Sequence, residues 1–242
     1  MNTKDQSIKV RGVPVEIVRK NIKNLHLGVY PPSGRVRIAA PLRLSDDAVR
    51  LAVTTRLGWI RRQQAKFNGQ ERQSERQMVS GESHYVRGRR YRLDIVEDDA
   101  SRPISLRNNA RLEVPIRLGT SRLDRDIVLQ KWYRQQLRNQ LPPLIAKWEL
   151  RIGVKVAECR IKKMKTRWGS CNAAARRIWL NLELAKKRPS SLEYILVHEM
   201  VHLLERHHND RFKNYMDRVM PQWRLYREEL NRSPLAHENW SY

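Results

Sequence analysis

Two histidines spaced four residues apart, with a glutamate beside the first, are the residues of this sequence best suited to chemistry. His198 and His202 enclose Glu199 in the pattern H-E-x-x-H. On an α-helix, positions four apart differ by only about 40° around the axis, so both imidazoles can bind one metal ion. A chain of this composition would contain the pattern by chance about 0.01 times. We therefore predict that His198 and His202 are metal ligands.

Glu199 lies beside the two histidines and is too close in sequence to be a convenient third ligand. Catalytic zinc sites keep one coordination position for water and lower the pKa of that water toward about 7. A neighbouring carboxylate can then remove the proton and later deliver it to the leaving group. The motif predicts a zinc-dependent hydrolase with one zinc per chain, or nickel or manganese in its place, in which Glu199 is the catalytic base.

The third ligand has two near candidates, His207 and His208. Glu228 or Glu229 from a later helix could serve instead, but the two histidines are closer in sequence. On an unbroken helix His208 would lie about 240° around the axis from His202, on the wrong side for a shared metal. The helix must therefore end between them. Asn209-Asp210 is typical of the N-cap of a new helix, which supports such a break.

The elements that would position these residues can be predicted from hydrophobic periodicity. Ser190 to Glu193 match a capping box behind Pro189, and the apolar run after it extends to Leu204. Val154–Lys165 and Ile178–Leu184 read as strands on either side of a turn at Gly169–Ala175. Further upstream, Pro142-Pro143 are expected to interrupt a helix that begins near Thr120-Ser121.

The N-terminal half shows short, alternating apolar patterns. Three strand pairs are predicted: Leu25–Val29 with Val36–Ala40, and two more around Gly88 and around Asn108-Asn109. A helix capped by Ser45 is expected to run past Trp59. We detect no internal repeat. The predicted organisation is a β-rich part at 1–119 followed by a catalytic part at 120–242.

Charge and composition restrict the partners. The 242 residues include 49 Lys+Arg and 25 Asp+Glu, a net charge of +24 that is spread over both halves. Such a surface attracts nucleic acid, nucleotides or acidic proteins, or is simply a solvated face; no zinc-finger spacing or RNP-type strand favours nucleic acid. The chain has two cysteines and neither a signal peptide nor an apolar stretch of about 18–20 residues. These features predict a cytoplasmic protein with no membrane partner.

Several segments resemble the YgjP-like metallopeptidase family. A third histidine ten positions after the first, followed by a phenylalanine, matches His208 and Phe212, and Arg167-Trp168-Gly169-Ser170-Cys171 matches the family's R-W-G-S-C element. Ile178–Asn181 resembles the strand that comes next in the family. The resemblance implies an α+β fold with a zincin-like core and a β-rich N-terminal extension. It favours His208 over His207 as the third ligand, by motif spacing.

The residues around the motif are compatible with several classes of substrate. The strand edge at R-W-G-S-C could pair with an extended peptide, and Arg167 could hold a carboxylate or a phosphate. Arg167, His207 and Arg211 are candidates for substrate binding and for stabilising the transition state, whereas Cys171 reads as a small buried hydrophobe. A metallopeptidase is the first hypothesis. The family resemblance also permits a nucleotide triphosphate hydrolase, and the basic surface permits a nucleic-acid-associated protein with a secondary metal site.

Overall fold

The computed structural model describes residues 5–30, 33–68, 76–98, 102–164 and 167–232. It divides into two compact units, one within 1–74 and one that begins at Glu75 and extends to residue 233. None of the helices in these ranges combines the length and apolar character that a membrane span requires. The strands are β1 Asp5–Val10, β2 Val13–Lys20, β3 His26–Tyr30, β4 Arg35–Pro41, β5 Ser83–Val86, β6 Arg89–Glu97, β7 Ser105–Arg107, β8 Arg111–Ile116, β9 Glu158–Lys162, β10 Gly169–Asn172 and β11 Arg177–Asn181. The helices are α1 Asp46–Thr55, α2 Leu57–Asn68, α3 Arg122–Ile152, α4 Pro189–Val201, α5 Asp210–Val219 and α6 Trp223–Arg232.

The first unit is a four-stranded sheet covered by two helices. Its strand order is β1-β2-β4-β3, with β2 and β4 parallel and the outer pairs antiparallel. Alternate residues of β2 and β4 are buried and pack against the apolar face of α1 and α2. The Ser45 side chain accepts a hydrogen bond from the Ala48 N–H and caps α1, as predicted. The helix does not run on unbroken past Trp59, because α1 ends at Thr55 with Arg56 as its C-cap, and a second helix, α2, begins at Leu57.

The second unit contains a sheet of the same topology. Strands β5 to β8 are arranged β5-β6-β8-β7, with β6 and β8 parallel and the outer pairs antiparallel. Both sheets begin with a hairpin that turns on an Arg-Gly pair with positive φ: Arg11 (45°) and Gly12 (86°), Arg87 (50°) and Gly88 (80°). The three predicted strand pairs are confirmed as β3–β4, β5–β6 and β7–β8.

The two sheets also match in register and in the segments after β4 and β8. Pro41 pairs with Lys20 in the first sheet, and Pro115 pairs with Val96 in the second. Each proline begins a Pro-aliphatic-Arg-Leu segment that leads to a serine-capped helix, α1 or α3. The prediction that the chain has no internal repeat is therefore wrong. Few side chains are shared between the two copies, so the repeat lies in the topology and the turns.

Helix α3 is continuous over 31 residues, contrary to the predicted interruption at Pro142-Pro143. Both prolines are exposed, whereas Leu137, Leu141 and Trp148 bury one face of the helix. A proline inside a helix costs about 3 kcal/mol, and burying a large apolar side chain contributes about 1.5–3 kcal/mol. Packing on both sides of the prolines therefore outweighs the lost backbone hydrogen bonds.

A small three-stranded sheet and the helices α4, α5 and α6 complete the second unit. Its order is β10-β11-β9, with β10 antiparallel and β9 parallel to β11. Residues 169–172, predicted as part of a turn, instead form the edge strand β10, since they pair with β11. The strand predicted over Val154–Lys165 is shorter, because β9 begins at Glu158 and ends at Lys162, and Lys165 lies outside the described residues.

The N-terminus of α4 differs from the predicted capping box. Arg188 occupies the N-cap without a side-chain hydrogen bond, and Pro189 is the first residue of the helix. Glu193 accepts hydrogen bonds from Lys147 Nζ (2.6 Å) and Trp148 Nε1 (2.8 Å) on α3. A tertiary contact to a neighbouring helix thus replaces the local cap.

The predicted α+β class is confirmed by these sheets and helices. The predicted division at residues 119 and 120 places β5–β8 in the N-terminal part, whereas these strands pack with α3 in the second compact unit. That the catalytic part begins at residue 120 stays a prediction. The H-E-x-x-H motif, the third histidine and the R-W-G-S-C element all belong to the second unit.

Candidate metal centre

Helix α4 carries the H-E-x-x-H motif in its last turn. The helix is buried almost all round, and Leu196, Val197, Met200 and Val201 are fully buried. This packing fixes the rotation of the helix and leaves one narrow face open. His198 and His202 lie on that face with their ring centroids 4.9 Å apart. His202 is the C-cap, so the helix ends at the second histidine.

The turn after α4 brings His208 back to the other two histidines. The backbone leaves the helix through hydrogen bonds from Leu203 N to Met200 O and from Leu204 N to Val201 O. Asn209 then caps α5, because its side chain accepts a hydrogen bond from Phe212 N (3.0 Å). The predicted break between His202 and His208 and the predicted cap at Asn209 are thus both present in the structure.

The three imidazoles converge on one point through their Nε2 atoms. His208 Nε2 lies 3.0 Å from His198 Nε2 and 3.1 Å from His202 Nε2. The candidate ligand atoms of all three lie within 4.8 Å of one another. Two nitrogens bound to one zinc ion at 2.0–2.1 Å in a tetrahedral arrangement are about 3.4 Å apart. The spacing of these three nitrogens fits a single small cation.

Protonation of the histidines also fits a cation. His202 Nδ1 lies 2.9 Å from the carbonyl oxygen of Glu205, so Nδ1–H donates there and the lone pair of Nε2 faces the cluster. Burial, together with the neighbouring histidines, lowers the pKa of His198 to about 3 and keeps its ring neutral. Burial likewise lowers the pKa of His208. Neutral imidazole is the form that binds metals.

Phe212 forms the floor beneath the cluster. Its ring centroid is 5.0 Å from that of His198, 4.7 Å from that of His202 and 4.8 Å from that of His208. The side chain is only 2% exposed. Phe212 therefore limits the orientations of all three imidazoles through contact.

Glu199 is buried next to the edge strand. It is 6% exposed, and burial raises its pKa to about 8, an effect that the positive charge of Arg167 opposes. A Cβ atom added to Gly169 would lie 2.6 Å from Glu199 Oε1 and 2.7 Å from its Cγ. Glycine is therefore required at 169 for the carboxylate to occupy this position. The R-W-G-S-C element and the H-E-x-x-H motif meet at this contact.

Asn181 holds the loop that leads into β10. Its side-chain nitrogen donates to the carbonyl oxygens of Met164 and Arg167, both at 2.8 Å. Its side-chain oxygen accepts from Met164 N (3.3 Å) and Glu183 N (3.2 Å). Asn181 is 5% exposed. The sequence alone did not indicate this role for Asn181. The role is shown by the burial of its side-chain amide and by its four hydrogen bonds, which form only when the chain is folded.

A cavity of about 950 Å³ opens over the histidines and Glu199. One wall is β10, and another is formed by Tyr194 of α4 with Arg227 and Leu230 of α6. Arg167, a predicted substrate-binding residue, lines this cavity. Tyr194, Arg206 and Arg227 also line the cavity. They were not predicted from the sequence, because they lie outside the H-E-x-x-H motif.

His207 and Arg211, the other predicted substrate-binding residues, are not brought to the cavity wall. His207 is exposed, and its backbone N–H donates to the Glu205 carboxylate (3.1 Å). Arg211 lies 4.0 Å from the same carboxylate and stands over the Tyr215 ring. The contacts of Glu205 with His207 and Arg211 thus stabilise the turn that positions His208. Their role in binding substrate stays a prediction that this geometry does not favour.

Cys171 lines the cavity from β10. Burial and the nearby Glu199 raise the pKa of its thiol to about 11. A thiol with this pKa is a poor nucleophile at neutral pH, because the thiolate is the reactive form. This agrees with the interpretation of Cys171 as a packing residue.

Comparison with known families identifies the chain. The model of the YgjP-like metallopeptidase domain matches residues 23–233. The chain belongs to the YgjP-like family. The match includes the whole H-E-x-x-H segment, R-W-G-S-C and all the strands from β3 onward. Family membership confirms a metallopeptidase domain, and the mixed sheets and helices confirm the α+β class with a β-rich N-terminal part.

Two further comparisons add context for this YgjP-like protein. The crystal structure of the metallopeptidase zymogen of Pyrococcus abyssi abylysin is 20% identical in sequence, covers 38% of this chain and 97% of its own, and superposes with a TM-score of 0.35. No curated protein gave a significant match. The family implies a divalent metal, and His198, His202 and His208 form a cluster that could bind one.

Proposed function

We propose that this protein is a zinc-dependent metallopeptidase with Glu199 as its general base and with His198, His202 and His208 as metal ligands. One observation carries the proposal: an edge strand, the buried Glu199 and the three-histidine cluster line the same cavity. Membership of a metallopeptidase family supports the reaction class.

The edge strand supports a peptide as the substrate. In the three-stranded sheet β10 pairs with β11 alone, and its residues Gly169 to Asn172 line the cavity. An extended peptide can add to such an edge through backbone hydrogen bonds, whatever its side chains. This would place the backbone of the peptide alongside Glu199, whose carboxylate lies against Gly169 of the strand.

The residues of this chain can perform the proton transfers of hydrolysis. A divalent cation at the three imidazoles would polarise the scissile carbonyl and make a water molecule more acidic. The Glu199 carboxylate accepts the proton of the attacking water and then donates it to the nitrogen of the leaving amine. Burial raises the pKa of Glu199 to about 8, which suits it to carry the proton between the two transfers, and the charge of Arg167 opposes this rise. A cation at the histidines would add to the effect of Arg167 and favour the ionised carboxylate that the first transfer needs.

Tyr194 is the donor best placed to stabilise the developing oxyanion. It lies one turn before His198 on α4, lines the cavity, and its ring centroid is 5.9 Å from that of His198. The ring is fixed by stacking on Trp223 at 6.5 Å. Burial raises the pKa of Tyr194, so its hydroxyl keeps the proton it would donate.

Metal analysis and peptide digestion test the proposal together. We expect about one zinc per chain, loss of zinc in His198→Ala, and cleavage of a peptide library detected by mass spectrometry. Glu199→Gln should keep the zinc and lose activity roughly a thousandfold, because general base catalysis contributes about 10²–10⁴. Full activity of Glu199→Gln would eliminate Glu199 as the base.

The paired histidines provide a matched control for the third ligand. His208→Ala should reduce zinc content far more than His207→Ala, since only His208 directs a ring nitrogen into the cluster. Both variants remove an exposed histidine from the same turn, so a general effect on folding would act on both. The reverse order would assign the third ligand to His207.

Binding of nucleic acid or acidic proteins is a separate proposal that rests only on the net charge of +24. Electrostatic binding to phosphates weakens steeply with salt. We expect any DNA binding to fall sharply between about 0.05 and about 0.2 M salt, measured by fluorescence anisotropy. Unchanged zinc content and peptidase activity in the presence of DNA would show that this surface is independent of the cavity.

A further inference from the structure

Three arginines surround the candidate active-site cavity, and each comes from a different part of the second unit. Arg167 precedes β10, Arg206 lies in the turn after α4, and Arg227 lies on α6. All three side chains are exposed at the cavity. Opposed to them, Glu199 is the one carboxylate among the described residues that line it.

These arginines differ from their neighbours in having no carboxylate partner. Arg211 pairs with Glu205 at 4.0 Å, Arg188 with Glu229 at 3.6 Å, and Arg224 with the Asp217 side chain. Within the described ranges, Arg167, Arg206 and Arg227 form no ion pair and no side-chain hydrogen bond. Arg167, Arg206 and Arg227 therefore differ in this respect from Arg188, Arg211 and Arg224.

The three arginines share the cavity with the groups that would act on the substrate. Arg167, Arg206 and Arg227 line the same cavity as Glu199 and the three histidines, so a substrate bound there would also meet these guanidinium groups. Arginine binds carboxylates through paired N–H donors, and such charge-assisted bonds are about twice as strong as neutral ones. An unneutralised arginine rim therefore favours an anionic group on the substrate.

We propose that Arg167, Arg206 and Arg227 form an anion-binding rim that selects peptides with an acidic side chain close to the scissile bond. This inference rests on the proposed peptidase function and specifies its substrate class. Arg167 lies two residues before the first residue of the edge strand and lines the same cavity, so a peptide paired with β10 would carry its side chains past this residue.

A phosphorylated substrate fits the cavity less well. Phosphate sites commonly use the N-terminus of a helix, where free N–H groups and the helix dipole favour negative charge. Here α4 presents its C-terminal end, since His198, Glu199 and His202 occupy its last turn and cap. The N-terminus of α5 is already capped by the Asn209 side chain. The three guanidinium groups come from different segments around the cavity. This arrangement is better suited to binding separate carboxylates along a peptide than to binding one phosphate group.

Binding to an inactive variant tests the rim without depending on catalysis. In the Glu199→Gln background, fluorescein-labelled peptides that differ only by Glu or Gln near the cleavage position are compared by anisotropy at about 0.15 M salt, where nonspecific attraction is reduced. We expect the Glu peptide to bind about tenfold more tightly. Adding Arg206→Gln and Arg227→Gln together should reduce this ratio to about twofold or less.

Arg224→Gln is the matched control for charge. It removes the same charge from the same helix as Arg227→Gln, but Arg224 is paired with Asp217 and does not line the cavity. We expect it to keep the tenfold ratio. An equal loss in Arg224→Gln would show a general effect of net charge and overturn the rim, as would equal binding of the Glu and Gln peptides.

The remaining outcomes separate the rim from the peptidase proposal. Cleavage by the zinc-loaded wild-type protein without preference for acidic peptides would overturn the rim alone. A Glu-over-Gln ratio that depends on the rim, in a protein that cleaves no peptide, would keep the rim and reject the peptidase. ATP binding that is lost with the arginines, without discrimination between the peptides, would assign the rim to phosphate and overturn the proposal.

Discussion

The two four-stranded sheets share a topology and differ in what their first hairpin touches. In the first sheet, the Arg11-Gly12 turn has open space around it, since a Cβ on Gly12 would meet nothing within 4 Å. In the second, Arg87 N donates to Ala185 O (3.0 Å) and Gly88 N donates to Lys186 O (3.1 Å). These carbonyls belong to the 3-10 turn Leu182–Lys186, directly before α4. The turn of the second sheet is thus hydrogen-bonded to the segment that precedes the helix with the H-E-x-x-H motif, whereas a Cβ at Gly12 in the first sheet would have open space.

This difference shows that the repeated sheet is a platform and that the site depends on what is attached to it. The residues that surround the cavity come from β10, α4, the turn after α4 and α6. The four-stranded sheet of the second unit contributes no side chain to the cavity wall within the described residues. The second sheet acts on the site indirectly, through its contacts with the 3-10 turn and with α3.

We expect the largest loss of activity from a substitution of Gly169, which lies in the candidate site, and little loss from a substitution of Gly12, which lies in the first sheet. Gly169→Ala places a methyl group 2.6 Å from Glu199 Oε1 and must displace the carboxylate. We expect roughly a thousandfold loss in kcat/KM, comparable with removal of the base, with a nearly unchanged circular dichroism spectrum. Gly12→Ala is the control and should leave kcat/KM within about twofold. Wild-type activity of Gly169→Ala would show that Glu199 has room to move.

The equivalent turn glycines should differ in their effect on stability. Both have positive φ, so alanine costs about 1–2 kcal/mol of unfolding free energy at either position. Gly88→Ala also brings its Cβ 2.5 Å from Arg188 Cγ and 3.1 Å from Arg188 Cα. We expect Gly88→Ala to cost at least about 3 kcal/mol in urea unfolding and Gly12→Ala about 1 kcal/mol. Equal losses would mean that the contact with Arg188 adjusts freely.

A smaller effect should appear with pH, because His84 in β5 occupies the place that Ile8 has in β1. Ile8 pairs with Val15, and His84 pairs with Tyr91 at the same distance from the Arg-Gly turn. Burial lowers the pKa of His84 to about 4, although Glu82 lies 3.3 Å away. The unfolded chain therefore binds a proton more readily, and stability present above about pH 6.5 is lost as the pH falls toward about 4.

His84→Ile tests that assignment by making the second sheet like the first. At pH 5 the wild-type protein should have lost about 2 kcal/mol of unfolding free energy through His84. His84→Ile should remove most of this loss, and Glu82 keeps hydrogen bonds from Gln77 N and Met78 N. Parallel pH profiles of the two proteins, measured by urea unfolding, would show that His84 does not titrate in this range.

Much of the site could be predicted because its signal is local in the sequence. The spacing of His198 and His202 follows from helix geometry, and the N-cap at Asn209 follows from a short-range rule. The position of Glu199 against Gly169, the four hydrogen bonds of Asn181 and the approach of Arg227 depend on chain segments far apart in sequence. No local pattern encodes such contacts.

The wrong predictions about the fold have the same origin. Pro142-Pro143 and the apparent capping box at Ser190 are strong local signals, and tertiary packing outweighed both. The repeat was missed for the opposite reason. Its two copies preserve strand order and an Arg-Gly turn while their side chains differ, so the similarity is visible in the pairing of strands before it is visible in the sequence.

The local pairing within each sheet has a consequence for the order in which the protein folds during synthesis. The strands of each four-stranded sheet lie close together in the sequence, so both sheets can form early, by closing short loops. The cavity needs residues from Arg167 to Asn231, which leave the ribosome after the strands of both sheets. A nascent chain therefore has both four-stranded sheets before it has the segments that form the histidine cluster, so the candidate site can assemble only on a scaffold that has already been synthesised.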